Sequence, residues 1–189
     1  MNLHYGARLQ SRADHANLRE PPMIGYGNTT AFSPSESALS LELECLEASP
    51  WGRGDFRQPS LLLENDLGDR SCDFRYRTHR RLPGAPVLAG LPSARAADPA
   101  RAETLEIDLV DEGQGLVLTL GYVVFADCDV ITRNVRITNT GRHTIHLLDV
   151  ASFILDLDNA DFLLTTLNGA WIREHHPHRA PLRPGIQEA

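Results

Sequence analysis

The sequence predicts an all-β fold, an antiparallel β-sandwich, and three observations support this. Apolar and polar residues alternate with a period of two in several segments, as in strands that bury one face. These segments recur roughly every ten residues between Gly, Pro, Asn or Asp, which is typical of a sandwich and not of a βαβ fold. Only residues 92–103 have a helix-like composition, and Pro92 and Pro99 favour a loop with a short turn there.

The first predicted strand covers residues 39–45, where leucine and cysteine alternate with serine and glutamate. A second strand is predicted around Leu105–Leu109, where Glu106 and Asp108 form the polar face. A third, Leu116–Tyr122, has no charged residue on either face. We therefore expect neighbouring structure to cover it on both sides.

A fourth strand is predicted around Val135 and Ile137, followed by a turn at Asn139–Gly141, because Asn and Gly tolerate positive φ. The apolar run Ile145–Leu157 comes next. It is predicted to pair back, antiparallel, with Ile131–Thr138.

The length of 189 residues, 20.9 kDa, predicts one domain or a large part of one, so we assign residues 1–189 to a single sandwich. Within it, residues 82–102 are predicted to form a long irregular connection. The chain begins in strand-like sequence, and residues 177–189 are rich in Pro and Arg and are predicted to hold no strand. We therefore expect a sandwich that is incomplete at both ends and belongs to a larger protein.

Composition excludes several classes of protein. The chain is 42% hydrophobic and 23% charged, as in globular proteins, and it contains no apolar run long enough to span a bilayer. Its net charge of -7 argues against nucleic acid as a partner, although all 18 basic residues are Arg. Three widely spaced cysteines, Cys45, Cys72 and Cys128, argue against a disulfide framework and predict a reducing, cytoplasmic location.

Short motifs follow one another in order along nearly the whole chain. They are Ala31-Phe32-Ser33-Pro34, residues 52–59, Phe74–Arg80, Leu82-Pro83-Gly84, Leu88–Pro92, Glu103–Ile107, Asp129–Arg133, Asp161, Gly169-Ala170-Trp171, Arg173-Glu174, Arg179, Pro181-Leu182 and Gly185-Ile186-Gln187. In this ordered combination the sequence resembles the α-galactosidases of glycoside hydrolase family 36.

The resemblance implies the N-terminal β-supersandwich domain that precedes the catalytic barrel in these enzymes. Such enzymes release terminal α-linked galactose with retention, which needs a pair of carboxylates flanking the scissile bond. The family's catalytic aspartates lie in the barrel, so we expect no catalytic residue and no activity in this chain alone. It would supply fold, subunit contacts and one wall of the sugar pocket. The resemblance further implies a homo-oligomer, commonly a tetramer, and no cofactor.

Trp171 is the first candidate for substrate binding, because the tryptophan of the family's Gly-Ala-Trp motif lies at the sugar pocket. An indole face suits the apolar C–H surface of galactose. The alternative is a core tryptophan. Asp55 and Arg57 are weaker candidates for contact with sugar or a neighbouring subunit, and the alternative, which we favour, is an internal ion pair that fixes their loop.

Two features depart from the family pattern or suggest other chemistry. Thr29 and Ser37 stand where some family members have an acidic residue and an arginine that reach the sugar, so substrate preference can differ. The histidines of residues 175–178 lack a suitably spaced further ligand, and we predict an exposed loop there and no metal site. Two other functions stay open, a stand-alone carbohydrate-binding sandwich and an oligomerisation module.

Overall fold

The computed structural model describes residues 9–10, 40–52, 57–156, 161–183 and 185. These residues form eight strands, and every pairing among them is antiparallel. The strands are β1 Leu61–Asn65, β2 Arg75–Pro83, β3 Ala102–Asp111, β4 Leu116–Phe125, β5 Val130–Asn139, β6 Ile145–Val150, β7 Leu163–Ala170 and β8 Arg173–Pro181. The described part has no α-helix, so the predicted all-β antiparallel fold is confirmed.

The chain divides into two compact units, residues 1–155 and 156–189. The first unit holds a four-stranded sheet in the order β2-β3-β4-β5 and a two-stranded sheet of β1 and β6. Leu61 and Leu63 of β1 pack with Leu116 of β4 and with Cys72 in one buried cluster, so the small sheet covers one face of the large one. Burial of these side chains holds the two layers together.

Strand β4 is covered on both faces, as predicted. Leu116, Leu118 and Leu120 are buried on the face towards β1 and β6. On the opposite face, Val123 and Phe125 pack in a second buried cluster whose other members include residues of the segment between β2 and β3. That segment, residues 84–101, contains one 3₁₀ turn at Pro99–Arg101, with Asp98 accepting a hydrogen bond from the Ala100 N–H at its start.

The prediction that the apolar run Ile145–Leu157 pairs with Ile131–Thr138 was wrong. Strand β6 ends at Val150 and pairs with β1, not with β5. The reason lies in the turn between β5 and β6, where Thr140 donates backbone and hydroxyl hydrogen bonds to the Gly115 carbonyl at 2.8 and 2.9 Å. These bonds fix the turn against the β3–β4 connection, and the chain then crosses into the other layer.

The strand predicted at residues 39–45 was also wrong in the part the structure describes. Leu41–Leu43 form a 3₁₀ turn. The Arg57 guanidinium donates hydrogen bonds to the carbonyls of Leu41 and Glu44, at 3.2 and 2.9 Å. A distant side chain therefore satisfies carbonyl groups that a strand would direct to a neighbouring strand.

The second unit consists of the β7–β8 hairpin, in which Leu163 pairs with Pro181 and Ala170 with Arg173. Because β8 extends to Pro181, the expectation of no strand from residue 177 onward was wrong. Pro177 is tolerated because β8 pairs only with β7, which leaves its other edge without a ladder partner among the described strands. No helix in the described residues has the length and apolar character needed to cross a membrane.

Large apolar side chains are exposed on β6 and on the β7–β8 hairpin, including Leu147, Leu148 and Phe153 in or after β6 and Leu163 and Leu167 in the hairpin. Exposed apolar strands promote association. We therefore expect the 189-residue chain to bind a hydrophobic dye and to elute from gel filtration as larger species.

The double variant Leu147→Glu and Leu167→Glu tests whether the exposed leucines cause the association. It should lower dye binding and association without lowering the melting temperature, since both side chains are more than half exposed. A sharp monomer peak and no dye binding by the unmodified chain would contradict the prediction.

Candidate substrate-facing hairpin

The candidate site is the tip of the β7–β8 hairpin, where Trp171 and Ile172 form a two-residue connection between the paired Ala170 and Arg173. Antiparallel pairing of the two strands brings Gly169 and Glu174 to the same end of the hairpin. The tip therefore comprises residues 169–174, which contain the motifs Gly169-Ala170-Trp171 and Arg173-Glu174 on either side of Ile172.

Trp171 is 88% exposed and Ile172 is 72% exposed. A core tryptophan would be mostly buried against other apolar side chains. In the described part of the chain Trp171 instead presents its indole to solvent, in a geometry that leaves the ring face available to a ligand or another protein surface. Its role in binding sugar stays a prediction.

The backbone of the tip has an unusual conformation. Ile172 has φ of 68° and His175 has φ of 60°, both in the left-handed region. A β-branched residue such as isoleucine rarely adopts this conformation, because its side chain clashes with the backbone. Such strain is often found where a side chain has to be held for function.

Arg57 does not lie on this hairpin. Its guanidinium donates to two carbonyl groups of the segment around the 3₁₀ turn at Leu41–Leu43, whereas the favoured ion pair with Asp55 stays a prediction. Its suggested partner, Asp55, lies outside the described residues, as do Thr29 and Ser37. Sugar contact by Asp55 and Arg57 therefore stays a prediction.

The histidines of residues 175–178 lie in strand β8, not in the predicted loop, and their side chains are exposed. His176 pairs with Asn168 and His178 with Thr166 across the hairpin. No group of three or more metal-binding side chains occurs within the described ranges.

An open groove of about 740 Å³ lies beside the start of β2 and the β3–β4 connection, and the sequence did not indicate it. Two of its carboxylates are already engaged. Asp111 accepts hydrogen bonds from the backbone N–H groups of Asp73 and Gln114, at 2.7 and 2.9 Å, and Asp73 pairs with Arg75 at 3.0 Å. These carboxylates hold the connection in place and are not free to act as an acid and base pair.

A second polar cluster lies across the four-stranded sheet. Arg80 donates to Glu106 at 2.6 Å and to Asp108 at 2.5 Å, and Thr119 donates to Asp108 at 2.7 Å. Burial alone would raise the pKa of Asp108, but the hydrogen bonds from Arg80 and Thr119 outweigh it and lower this pKa. The cluster joins β2, β3 and β4, and every charged member has a partner.

Cys72 is not suited to nucleophilic chemistry. Burial, reinforced by the nearby carboxylates of Asp111 and Asp69, raises the pKa of its thiol to about 12. A thiol with such a pKa is protonated near neutral pH and therefore unreactive.

The fold and the exposed hairpin tip define an all-β, antiparallel domain whose distinctive surface is an exposed tryptophan at a strained turn. Residues 1–189 match the family model described as the glycosyl hydrolase family 36 N-terminal domain. The chain belongs to this family.

Relatives with curated descriptions are α-galactosidases. The chain is 37% identical over 184 residues to α-galactosidase AgaA of Geobacillus stearothermophilus, an alignment that covers 97% of the chain and 24% of AgaA. It is 31% identical over 186 residues to α-galactosidase 1 of Pediococcus pentosaceus, covering 98% of the chain and 25% of that enzyme. The chain thus spans about a quarter of the length of these relatives.

Solved structures give the same family. The α-galactosidase of Lactobacillus brevis superposes with a TM-score of 0.90 at 31% identity, covering 98% of this chain and 25% of that one. A variant of Geobacillus stearothermophilus AgaA in complex with raffinose gives a TM-score of 0.87 at 35% identity, covering 96% and 25%. Another AgaA variant was solved in complex with stachyose.

Proposed function

We propose that this chain is the β domain of an α-galactosidase that releases terminal α-linked galactose with retention of configuration. Three findings support the proposal: the family match over the whole chain, α-galactosidases as the curated relatives, and galactoside complexes among the similar structures. The carboxylate pair needed for the chemistry would come from a catalytic domain outside these 189 residues.

In this proposal Trp171 forms one wall of the sugar pocket. The observation that carries it is the position of the indole, 88% exposed at the tip of a hairpin. The flat apolar ring would pack against the C–H surface of galactose, while polar groups of the catalytic domain would read its hydroxyls. The enzyme would act on galactosides in the cytoplasm and assemble as a homo-oligomer, with a tetramer as the expected form.

The test is Trp171→Ala in the α-galactosidase that contains this domain. We expect kcat/KM to fall roughly 5- to 150-fold, because loss of an aromatic anchor costs about 1–3 kcal/mol of binding. The melting temperature should stay unchanged, since the exposed indole contributes little packing. Galactoside kinetics and thermal unfolding are measured on the same preparation.

Trp51→Ala is the matched control, because Trp51 is the other tryptophan and lies in the first unit, 45% exposed. It should leave kcat/KM near the unmodified value. If Trp171→Ala lowers the melting temperature strongly while the folded fraction keeps normal kcat/KM, Trp171 is a packing residue and the assignment is wrong.

A further inference from the structure

The turn that presents Trp171 differs from the turns that usually close a two-residue hairpin. Those turns have positive φ at both central residues or at the first one. Here Ile172, the second central residue, has φ of 68°, and Trp171 is not among the described residues with positive φ. Such a turn normally has glycine at the second position, because glycine adopts positive φ without a clash.

A bulge follows the turn directly. Asn168 pairs with His176 and Ala170 with Arg173, so Gly169 lies opposite two residues, Glu174 and His175. His175, the second of these two residues, has φ of 60°, in the left-handed region that favours glycine. A side chain at residue 169 would place its Cβ 3.0 Å from Glu174 Cα and 3.1 Å from the Arg173 carbonyl oxygen, so the bulge leaves little space there.

The Glu174 side chain ties the bulge to the turn. Its Oε1 accepts a hydrogen bond from the Ile172 backbone N–H at 3.3 Å. Glu174 precedes the strained His175 and holds the strained Ile172. Both strained residues lie within four residues of Trp171.

We propose that Ile172 and Glu174 are positioning residues that hold the turn in one conformation and so fix the direction in which Trp171 projects. This inference rests on the proposed role of Trp171 in sugar binding. Isoleucine has fewer accessible backbone conformations than glycine, and the Glu174 hydrogen bond helps to hold it in the left-handed one, which isoleucine by itself rarely adopts. A tryptophan fixed in advance loses less conformational freedom when the ligand binds.

Stability alone does not explain these residues. Glycine at residue 172 would adopt φ of 68° without a steric clash, and an exposed Ile172 gains little from packing. A residue chosen only to close the hairpin would therefore be glycine. A positioning role, unlike a stabilising one, predicts that substitution of Ile172 leaves the fold intact and weakens substrate binding.

Ile172→Gly in the α-galactosidase tests this expectation. The melting temperature should stay constant or rise, while KM increases about three- to tenfold at similar kcat, the range expected when one more side chain must be ordered on binding. Val87→Gly is the matched control, because Val87 is also 72% exposed and has no positive φ. It should leave KM unchanged.

Glu174→Ala and Glu174→Gln test the hydrogen bond. Alanine removes the acceptor and should raise KM by a similar factor, whereas glutamine keeps a side-chain carbonyl that can accept from the Ile172 N–H and should restore most of the loss. Glu112→Ala, which removes an exposed glutamate of the β3–β4 connection, is the control for loss of charge.

Mobility of the indole gives a readout that does not depend on activity. In the 189-residue chain that carries Leu147→Glu and Leu167→Glu to limit association, together with Trp51→Phe, Trp171 is the remaining tryptophan. Its fluorescence anisotropy should fall on Ile172→Gly and on Glu174→Ala, and recover with Glu174→Gln. Unchanged anisotropy in the first two variants would overturn the positioning role.

The outcomes separate the two proposals. If Trp171→Ala lowers kcat/KM but Ile172→Gly and Glu174→Ala leave KM unchanged, the positioning role is wrong and the role of Trp171 stands. If Trp171→Ala has no effect on kcat/KM, the proposed site is wrong and the positioning role falls with it. A lower melting temperature in Ile172→Gly would assign Ile172 to the stability of the hairpin instead.

Discussion

Replacing Arg133 by Met is expected to destabilise the first unit by about 3–5 kcal/mol, the range for breaking a buried ion pair on one side. The Arg133 side chain is 5% exposed. It donates to the carbonyls of Ile154, at 3.1 Å, and Glu47, and its guanidinium lies 3.6 Å from the Glu47 carboxylate. Glu47 is thus the carboxylate partner of this residue.

The side chains around Arg133 explain why the loss of stability should be large. The Arg133 guanidinium lies 5.6 Å from the centre of the Tyr122 ring and 5.7 Å from that of Phe153. The Tyr122 hydroxyl donates to the Glu47 carboxylate at 2.6 Å, and burial together with this bond raises the pKa of Tyr122. Without Arg133, the Glu47 carboxylate keeps Tyr122 as a donor but loses its cationic partner, and two carbonyl groups lose a donor.

Urea unfolding of the variants measures this loss. Adding Glu47→Gln to Arg133→Met should recover part of the stability, because the stranded carboxylate is then neutral. Arg142→Ala, at an exposed arginine, is the control and should change stability by less than about 0.5 kcal/mol. The prediction is wrong if Arg133→Met is as mild as this control.

Gly115→Ala is expected to cost about 3–5 kcal/mol, because it combines a conformational penalty with a backbone clash. Gly115 has φ of 68°, and a Cβ there would lie 2.5 Å from Gly141 Cα and 2.8 Å from the Gly141 nitrogen. Relief of the clash requires the β3–β4 and β5–β6 connections to separate. That movement would break the two hydrogen bonds from Thr140 to the Gly115 carbonyl.

Gly68→Ala separates the two causes. Gly68 has φ of 82°, but nothing lies within 4 Å of its Cβ position. This variant should lose only the conformational contribution to the unfolding free energy, about 1–2 kcal/mol. Unfolding free energies that are equal for Gly115→Ala and Gly68→Ala would contradict the close contact of the two connections.

Part of the candidate site could be predicted from sequence. Trp171 was selected through the Gly-Ala-Trp motif. The conformations of Ile172 and His175 could not be predicted, because they follow from how the hairpin closes and where its bulge falls. Isoleucine and histidine carry no local signal for positive φ.

The sequence by itself determined the all-β class and the central strands β3, β4 and β5. Their period-two patterns reflect local geometry, since successive side chains in a strand point to opposite faces whatever the partner is. The ordered motifs likewise determined the family, which the match over residues 1–189 confirms.

Only the tertiary structure decided the partner of β6, the 3₁₀ turn at Leu41–Leu43 and the carboxylate that accompanies Arg133. Each depends on a contact between residues far apart in the chain: Thr140 with Gly115, Arg57 with Glu44, and Arg133 with Glu47. Alternation of polarity shows which face of a strand is buried but not what buries it. Strand β6 therefore has the same pattern whether it pairs with β5 or, as it does, with β1.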